Sequence, residues 1–122
     1  MRALVIDDSR AMRAILRKIL KEIGFEVTEA GHGKEGLERL QQIEAPQLAL
    51  VDWNMPEMNG LEFVRTVRAD PTYDAMRVMM VTPESEVSAV TCALEAGANE
   101  YVMKPFTKNV ILEKLALLGI EP

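Results

Sequence analysis

The sequence predicts an α/β fold: five βα units forming a doubly wound parallel sheet with helices on both faces. Three observations predict it. The continuous apolar runs ALVI (Ala3 to Ile6), LALV (Leu48 to Val51) and VMMV (Val78 to Val81) are the pattern of strands buried on both faces. They alternate with stretches whose apolar residues recur at helical spacing. The links between them are short, as parallel strands joined by right-handed helical crossovers require.

Each element has its own signal. After ALVI, Met12, Ile15, Leu16, Ile19, Leu20 and Ile23 follow i, i+3, i+4 spacing, with Arg13, Arg17, Lys18 and Lys21 between them and Gly24 as the stop. FEVTEA (Phe25 to Ala30) alternates apolar and polar, which places it toward a sheet edge. A short helix carrying Leu37, Leu40 and Ile43 follows, and Pro46 ends its connection. LALV opens into the loop DWNMPEMNG and a third helix with Leu61, Val64 and Val67, which Asp70-Pro71 breaks. VMMV is the fourth strand, and Val87, Val90 and Leu94 mark a fourth helix ending near Gly97. YVM (Tyr101 to Met103) is the fifth strand, before a fifth helix with Ile111, Leu112, Leu115 and Leu118 that ends at Gly119.

At 122 residues, 48% hydrophobic and 27% charged, the chain reads as one domain, residues 1–122, with a real core and no output domain. No apolar run approaches the roughly 20 residues of a membrane span, and MRALVIDDSR turns acidic too early for a signal peptide. A cytoplasmic location is therefore expected. The single Cys92 excludes an internal disulfide and a cysteine-based metal site, and reads as a helix-packing residue. A net charge of -5 argues against nucleic-acid binding, which needs a basic surface; protein partners fit better, with a monomer as the default.

In open parallel sheets ligands bind beyond the carboxyl ends of the strands. Asp7-Asp8 ends the first strand, Asp52 the third, Thr82 the fourth and Lys104-Pro105 the fifth. Any one of these alone reads as a strand end or a helix cap. Together they bring three carboxylates, a hydroxyl and an ammonium to one edge. Carboxylates about 4 Å apart repel by about 4 kcal/mol at an effective dielectric near 20, so the cluster needs compensation. Mg²⁺, which takes one or two carboxylates plus water and phosphate oxygens, suits it better than Ca²⁺. Metal, lysine and hydroxyl together equip a site for phosphoryl transfer, and a carboxylate can itself be the nucleophile.

A competing motif, GHGKEG (Gly31 to Gly36), fits the dinucleotide pattern G-x-G-x-x-G, with Asp52 about twenty residues further on. That fingerprint belongs on a buried central strand, and FEVTEA alternates as an edge strand does. The favoured reading is a turn in which Gly31 or Gly33 takes a positive φ before Lys34 and Glu35 open a helix, with His32 a solvated turn residue. The phosphate-cradling pattern G-x-x-x-x-G-K-[ST] is absent.

In combination VIDDS, VDWNMPEMNG, MMVT and EYVMKPF, in that order at strand ends, resemble the response-regulator receiver domains, in particular the CheY-like single-domain chemotaxis type. The resemblance spans essentially the whole chain. It implies the strand order 2-1-3-4-5 and a role in two-component phosphorelay signalling. It implies that Asp52 accepts a phosphoryl group from a sensor histidine kinase, and that Mg²⁺ is held by Asp7, Asp8, Asp52 and the backbone carbonyl of Asn54. Thr82 and Lys104 then contact the phosphoryl group, Thr82 and Tyr101 act as switch residues, and the peptide before Pro105 is cis. The target protein docks on helix four, strand five and helix five. Such a protein is no enzyme beyond its own phosphotransfer and autodephosphorylation.

Taken singly, Tyr101 reads as a half-buried strand residue, Trp53 as packed beside the site, Met55 and Met58 as shaping the loop, and Asn59-Gly60 as a turn into the third helix. Pro83 departs from the pattern of the family, most of whose members carry a small residue after the Thr with an N–H expected to donate to the phosphoryl group; proline has none. The bland reading makes Pro83 a first-turn helix residue. The alternatives are a receiver outside chemotaxis, a flavodoxin-like nucleotide or flavin binder, and a small phosphohydrolase with Asp52 as nucleophile. That last class wants a second Asp where Asn54 stands.

Overall fold

The computed structural model describes residues 1–53, 55, 58–83 and 88–120. Five strands alternate with five helices: β1 (Arg2–Ile6), α1 (Arg10–Ile23), β2 (Glu26–Ala30), α2 (Gly33–Gln42), β3 (Leu48–Asp52), α3 (Gly60–Arg68), β4 (Arg77–Pro83), α4 (Val90–Ala96), β5 (Glu100–Lys104) and α5 (Lys108–Leu117). The strands form one parallel sheet in the order β2-β1-β3-β4-β5. Among the described residues, no helix is long and apolar enough to cross a membrane.

The period of two along each strand divides the interior into two cores. Leu4 and Ile6 of β1, with Ala49 and Val51 of β3, face one side, where Phe63, Val64 and Val67 of α3 cover them. Ala3 and Val5, with Leu48 and Leu50, face the other, against Leu16 and Leu20 of α1 and Ile111 and Leu115 of α5. Buried on both faces, β3 carries no exposed residue, whereas β2 at the edge is mostly half-exposed. The continuous and alternating sequence patterns therefore mark centre and edge as expected.

Side chains define the helix starts. Ser9 accepts from the Met12 N–H at 3.2 Å, Asn59 from Glu62 at 2.9 Å and Thr107 from Val110 at 3.2 Å. Gly24 (φ 121°) and Gly97 (φ 119°) close α1 and α4 in the positive-φ conformation that glycine tolerates.

Several expectations are corrected. Neither Gly31 nor Gly33 has a positive φ; Gly33 is already the first residue of α2. His32 is not a solvated turn residue but the half-buried N-cap, whose Nδ1 accepts from the Glu35 N–H at 3.2 Å. Glu35 returns a contact by accepting from the Gly31 N–H at 3.0 Å, in the manner of a capping box. The glycines of GHGKEG serve close packing: a Cβ on Gly33 would lie 3.0 Å from the Met58 side chain, and one on Gly36 would overlap Ile6 of β1. Leu94, expected in the core, is 42% exposed, because α4 buries Val90 and Ala93 instead and packs beside α3. Cys92 shares that exposed side, so it is no packing residue. Val87, expected at the start of this helix, lies outside the described residues.

These contacts fix the sign of one substitution. Helix propensity alone makes Gly36→Ala stabilising by about 1 kcal/mol, whereas overpacking against Ile6 and Phe63 costs about 1–3 kcal/mol. The expected outcome is a lower urea midpoint with an unchanged slope, measured by equilibrium unfolding.

Candidate functional site

The carboxyl ends of β1, β3, β4 and β5 converge because the four strands are neighbours and run in one direction. Ile6 is in register with Val51, so Asp7 and Asp52 emerge side by side from the two central strands. This is also where the strand order reverses, the place where open α/β sheets bind ligands. Asp7, Asp8 and Asp52 each offer an oxygen, and these oxygens lie within 4.8 Å of one another. Asp7 and Asp52 are buried, at 1% and 4% exposure, and Asp8 faces solvent. From β5, Lys104 reaches past β4 to place its Nζ 3.3 Å from Asp52 Oδ1 and 3.6 Å from Asp7 Oδ2.

Asp7 is held on several sides. Its N–H donates to the Ala30 carbonyl at 3.2 Å, its Oδ1 accepts from the Ser9 N–H at 2.8 Å, and its carbonyl accepts from Arg13 Nη1 at 2.6 Å. Its Oδ2 is buried and has no hydrogen-bond partner among the described residues. An orphaned buried carboxylate oxygen costs far more than a solvated one. Burial and the neighbouring Asp7 carboxylate push the Asp52 carboxyl up from 3.8 to about 6, against the opposing pull of Lys104. One ammonium thus stands among three carboxylates. The excess negative charge, the oxygen-only donor set and an Asp7 Oδ2 that has the Lys104 ion pair but no hydrogen bond among the described residues all fit a hard divalent cation of the Mg²⁺ kind.

The remaining expected residues are placed as follows. Thr82, buried on β4, donates from its hydroxyl to the Pro83 carbonyl at 3.3 Å. Pro83 ends β4 in register with Lys104, rather than opening a helix. The Lys104–Pro105 peptide is cis. Tyr101 stands apart from the carboxylates, half-buried on β5, with Lys114 Nζ 4.5 Å from its ring centroid and Lys114 paired to Glu100 at 3.2 Å. Trp53, Met55 and Met58 pack against the core beside the site. Asn54, expected to supply a carbonyl, lies outside the described residues. Sequence reasoning missed Arg13, which read as the polar side of a helix, and Lys114. Only a three-dimensional register places either beside its partner.

The profile of the response regulator receiver domain family matches residues 3–116, and the chain belongs to that family. It is a two-component response regulator: such domains take a phosphoryl group from histidine kinases, act on target proteins and bind Mg²⁺ in an acidic pocket. Its sequence is 47% identical over 116 residues to a chemotaxis protein CheY homolog of Campylobacter jejuni, covering 94% of this chain and 89% of that protein. It is 44% identical over 119 residues to the chemotaxis protein CheY1 of Helicobacter pylori, covering 97% and 96%. The structure of the chemotaxis protein CheY4 of Vibrio cholerae matches with a TM-score of 0.88 at 31% identity, covering 96% of this chain and 97% of that one.

The raised Asp52 value has a stability consequence in metal-free protein. Between about 4 and 6 the folded state binds more protons than the unfolded one, so stability falls as pH rises through that window, by at most about 3 kcal/mol. Asp52→Asn, which mimics the neutral form, removes this penalty. Thermal melts in chelator at pH 7 are expected to show the variant unfolding roughly 5 °C higher, with a flatter pH dependence between 4 and 6.

Proposed function

We propose that Asp52 is the phosphoacceptor of a phosphorylation-controlled switch that takes its phosphoryl group from a sensor histidine kinase and works in chemotaxis. The observation that carries the assignment of Asp52 is its position: buried, beside Asp7, with the Lys104 ammonium at 3.3 Å. With its value near 6, Asp52 is largely ionised at neutral pH yet poorly solvated, which suits a nucleophile. Its carboxylate oxygen attacks phosphorus in line, the P–N bond to the donor imidazole breaks, and the imidazole leaves with that electron pair and takes up a proton. Asp7, Asp8 and Asp52, with the carbonyl of Asn54, would hold Mg²⁺, which neutralises charge on the phosphoryl oxygens. Lys104 pairs with a phosphoryl oxygen from the other side, and the Thr82 hydroxyl exchanges its contact with the Pro83 carbonyl for one to the same group. Water later hydrolyses the acyl phosphate, so the protein resets itself.

Chemotaxis is supported by the relatives at 44–47% identity, whose names carry that role. The target is proposed to dock on α4, β5 and α5, with Tyr101 as the switch residue that responds to Thr82. The half-exposed Tyr101 and the exposed Leu94 and Met103 on α4 and β5 support that surface.

The direct test adds Mg²⁺ and a small acyl phosphate and follows intact mass and Trp53 fluorescence. One added phosphoryl group and a fluorescence change are expected, both lost in Asp52→Asn; an unchanged mass in the unsubstituted protein would overturn the assignment.

Pro83 supplies a second expectation. A hydrogen bond to a charged group contributes about 1.5–3 kcal/mol, and position 83 has no N–H to make one. Pro83→Ala is therefore expected to lengthen the lifetime of the phosphorylated state several-fold, timed by phosphate release. An unchanged lifetime would leave Pro83 with no role beyond ending β4.

A further inference from the structure

We infer that Arg13 is a positioning residue for the acidic site: it holds the Asp7 backbone in the place from which Asp7 Oδ2 and Asp8 face a divalent cation. The inference rests on the reading of that cluster as the Mg²⁺ site. It starts from the inventory of Asp7. The amide is committed to Ala30 at the end of β2, and Oδ1 to the amide of Ser9, the N-cap of α1. Both of those partners are backbone. The carbonyl is the exception, because it accepts from a side chain, Arg13 Nη1 at 2.6 Å.

Arg13 is itself fixed. Its side chain is 19% exposed, and its Nε lies 3.4 Å from Glu29 Oε1 on β2. Its own backbone N–H makes the first helical bond of α1, to the Ser9 carbonyl at 3.0 Å. The guanidinium lies against Gly31, which follows β2: a Cβ there would lie 3.5 Å from Nη1, in ordinary contact. The planar fork thus ties the carbonyl of one strand end to a carboxylate of the neighbouring strand, which the single point charge of a lysine cannot reproduce. Mg²⁺ demands near-ideal octahedral geometry, so a small drift of Asp7 is costly, and groups that orient metal ligands typically contribute 10–100-fold in affinity.

Positioning and charge make opposite predictions. Arg13 is a cation near a cation site, and on charge alone its removal raises Mg²⁺ affinity. As a positioning residue, its removal lowers it. The test titrates Mg²⁺ into chelator-stripped protein while following Trp53 fluorescence, with thermal melts in chelator to confirm folding. Arg13→Ala is expected to bind Mg²⁺ about 10-fold or more weakly, and Arg13→Lys to fall between it and the unsubstituted protein. Arg17→Ala, which removes a charge paired to Glu29 at 3.8 Å but makes no bond to Asp7 among the described residues, is expected to leave affinity unchanged. At saturating Mg²⁺ the rate of phosphorylation by an acyl phosphate should recover in Arg13→Ala, because Arg13 does not touch the reacting carboxylate. Equal or tighter Mg²⁺ binding by Arg13→Ala overturns the proposal. If that variant does not fold, Arg13→Lys decides, and affinity equal to the unsubstituted protein overturns it. Failure of the unsubstituted protein to bind Mg²⁺ at all overturns the reading of the metal site itself, and this proposal with it.

Discussion

Repulsion between Asp7 and Asp52 is the constraint around which the rest of the structure is arranged. The two carboxylates end adjacent central strands, both are buried, and burial with mutual proximity makes the charged form of Asp52 costly. Nothing about the sheet requires acids there; apolar strand ends would pack at less cost. The strain is tolerated because β1 and β3 are set by residues elsewhere. Leu4, Val5, Leu48, Ala49, Leu50 and Val51 are fully buried between two helical layers. A one-residue slip would send each strand's side chains into the opposite core, where they do not match their neighbours, so the register that brings Asp7 beside Asp52 is fixed by the apolar residues rather than by the acids.

The compensation is deliberately incomplete. Lys104 provides one positive charge, divided between Asp52 at 3.3 Å and Asp7 at 3.6 Å. A second fixed cation would stabilise the resting protein, but it would also fill the space and charge deficit that a divalent cation and a phosphoryl group require. The fold thus holds a site that is electrostatically unfinished, with Asp7 Oδ2 as its clearest sign. Stability is given up locally for binding, as expected where chemistry needs perturbed groups.

Much of this was legible in the sequence. Continuous apolar runs marked the central strands, alternation marked β2 as an edge, and acids after Ile6 and Val51 marked the site, because both signals arise from burial along a single strand. The failures have other causes. His32, read from the sequence as a solvated turn residue, caps α2 through a ring nitrogen. The glycines of GHGKEG look like turn glycines, but Gly33 and Gly36 are small because Met58 and Ile6 come close, and both neighbours belong to other elements. Leu94 carries a core residue's chemistry, yet α4 packs beside α3 with Val90 and Ala93 buried in its place. For Gly33 and Gly36 the deciding neighbour lies far away along the chain, whereas the His32 cap is a contact across three residues.

Lys104 also links the site to the surface where a partner is proposed to dock. It ends β5, whose opposite end carries Glu100 and, one residue on, Tyr101. Glu100 both accepts from the Tyr101 N–H at 3.0 Å and pairs with Lys114, which covers the Tyr101 ring. β5 is thus pinned at one end by an ion pair to α5 and at the other by an ammonium shared between two acids. If Asp52 is phosphorylated as proposed, the second attachment is the one directly affected, because added negative charge on Asp52 would compete with Asp7 for Lys104. A ligand shifts a two-state element only through contacts that differ between its states. Among the contacts described for β5, those of Lys104 would meet that condition directly under the proposed phosphorylation of Asp52, whereas the Glu100–Lys114 pair would do so only through the strand between them.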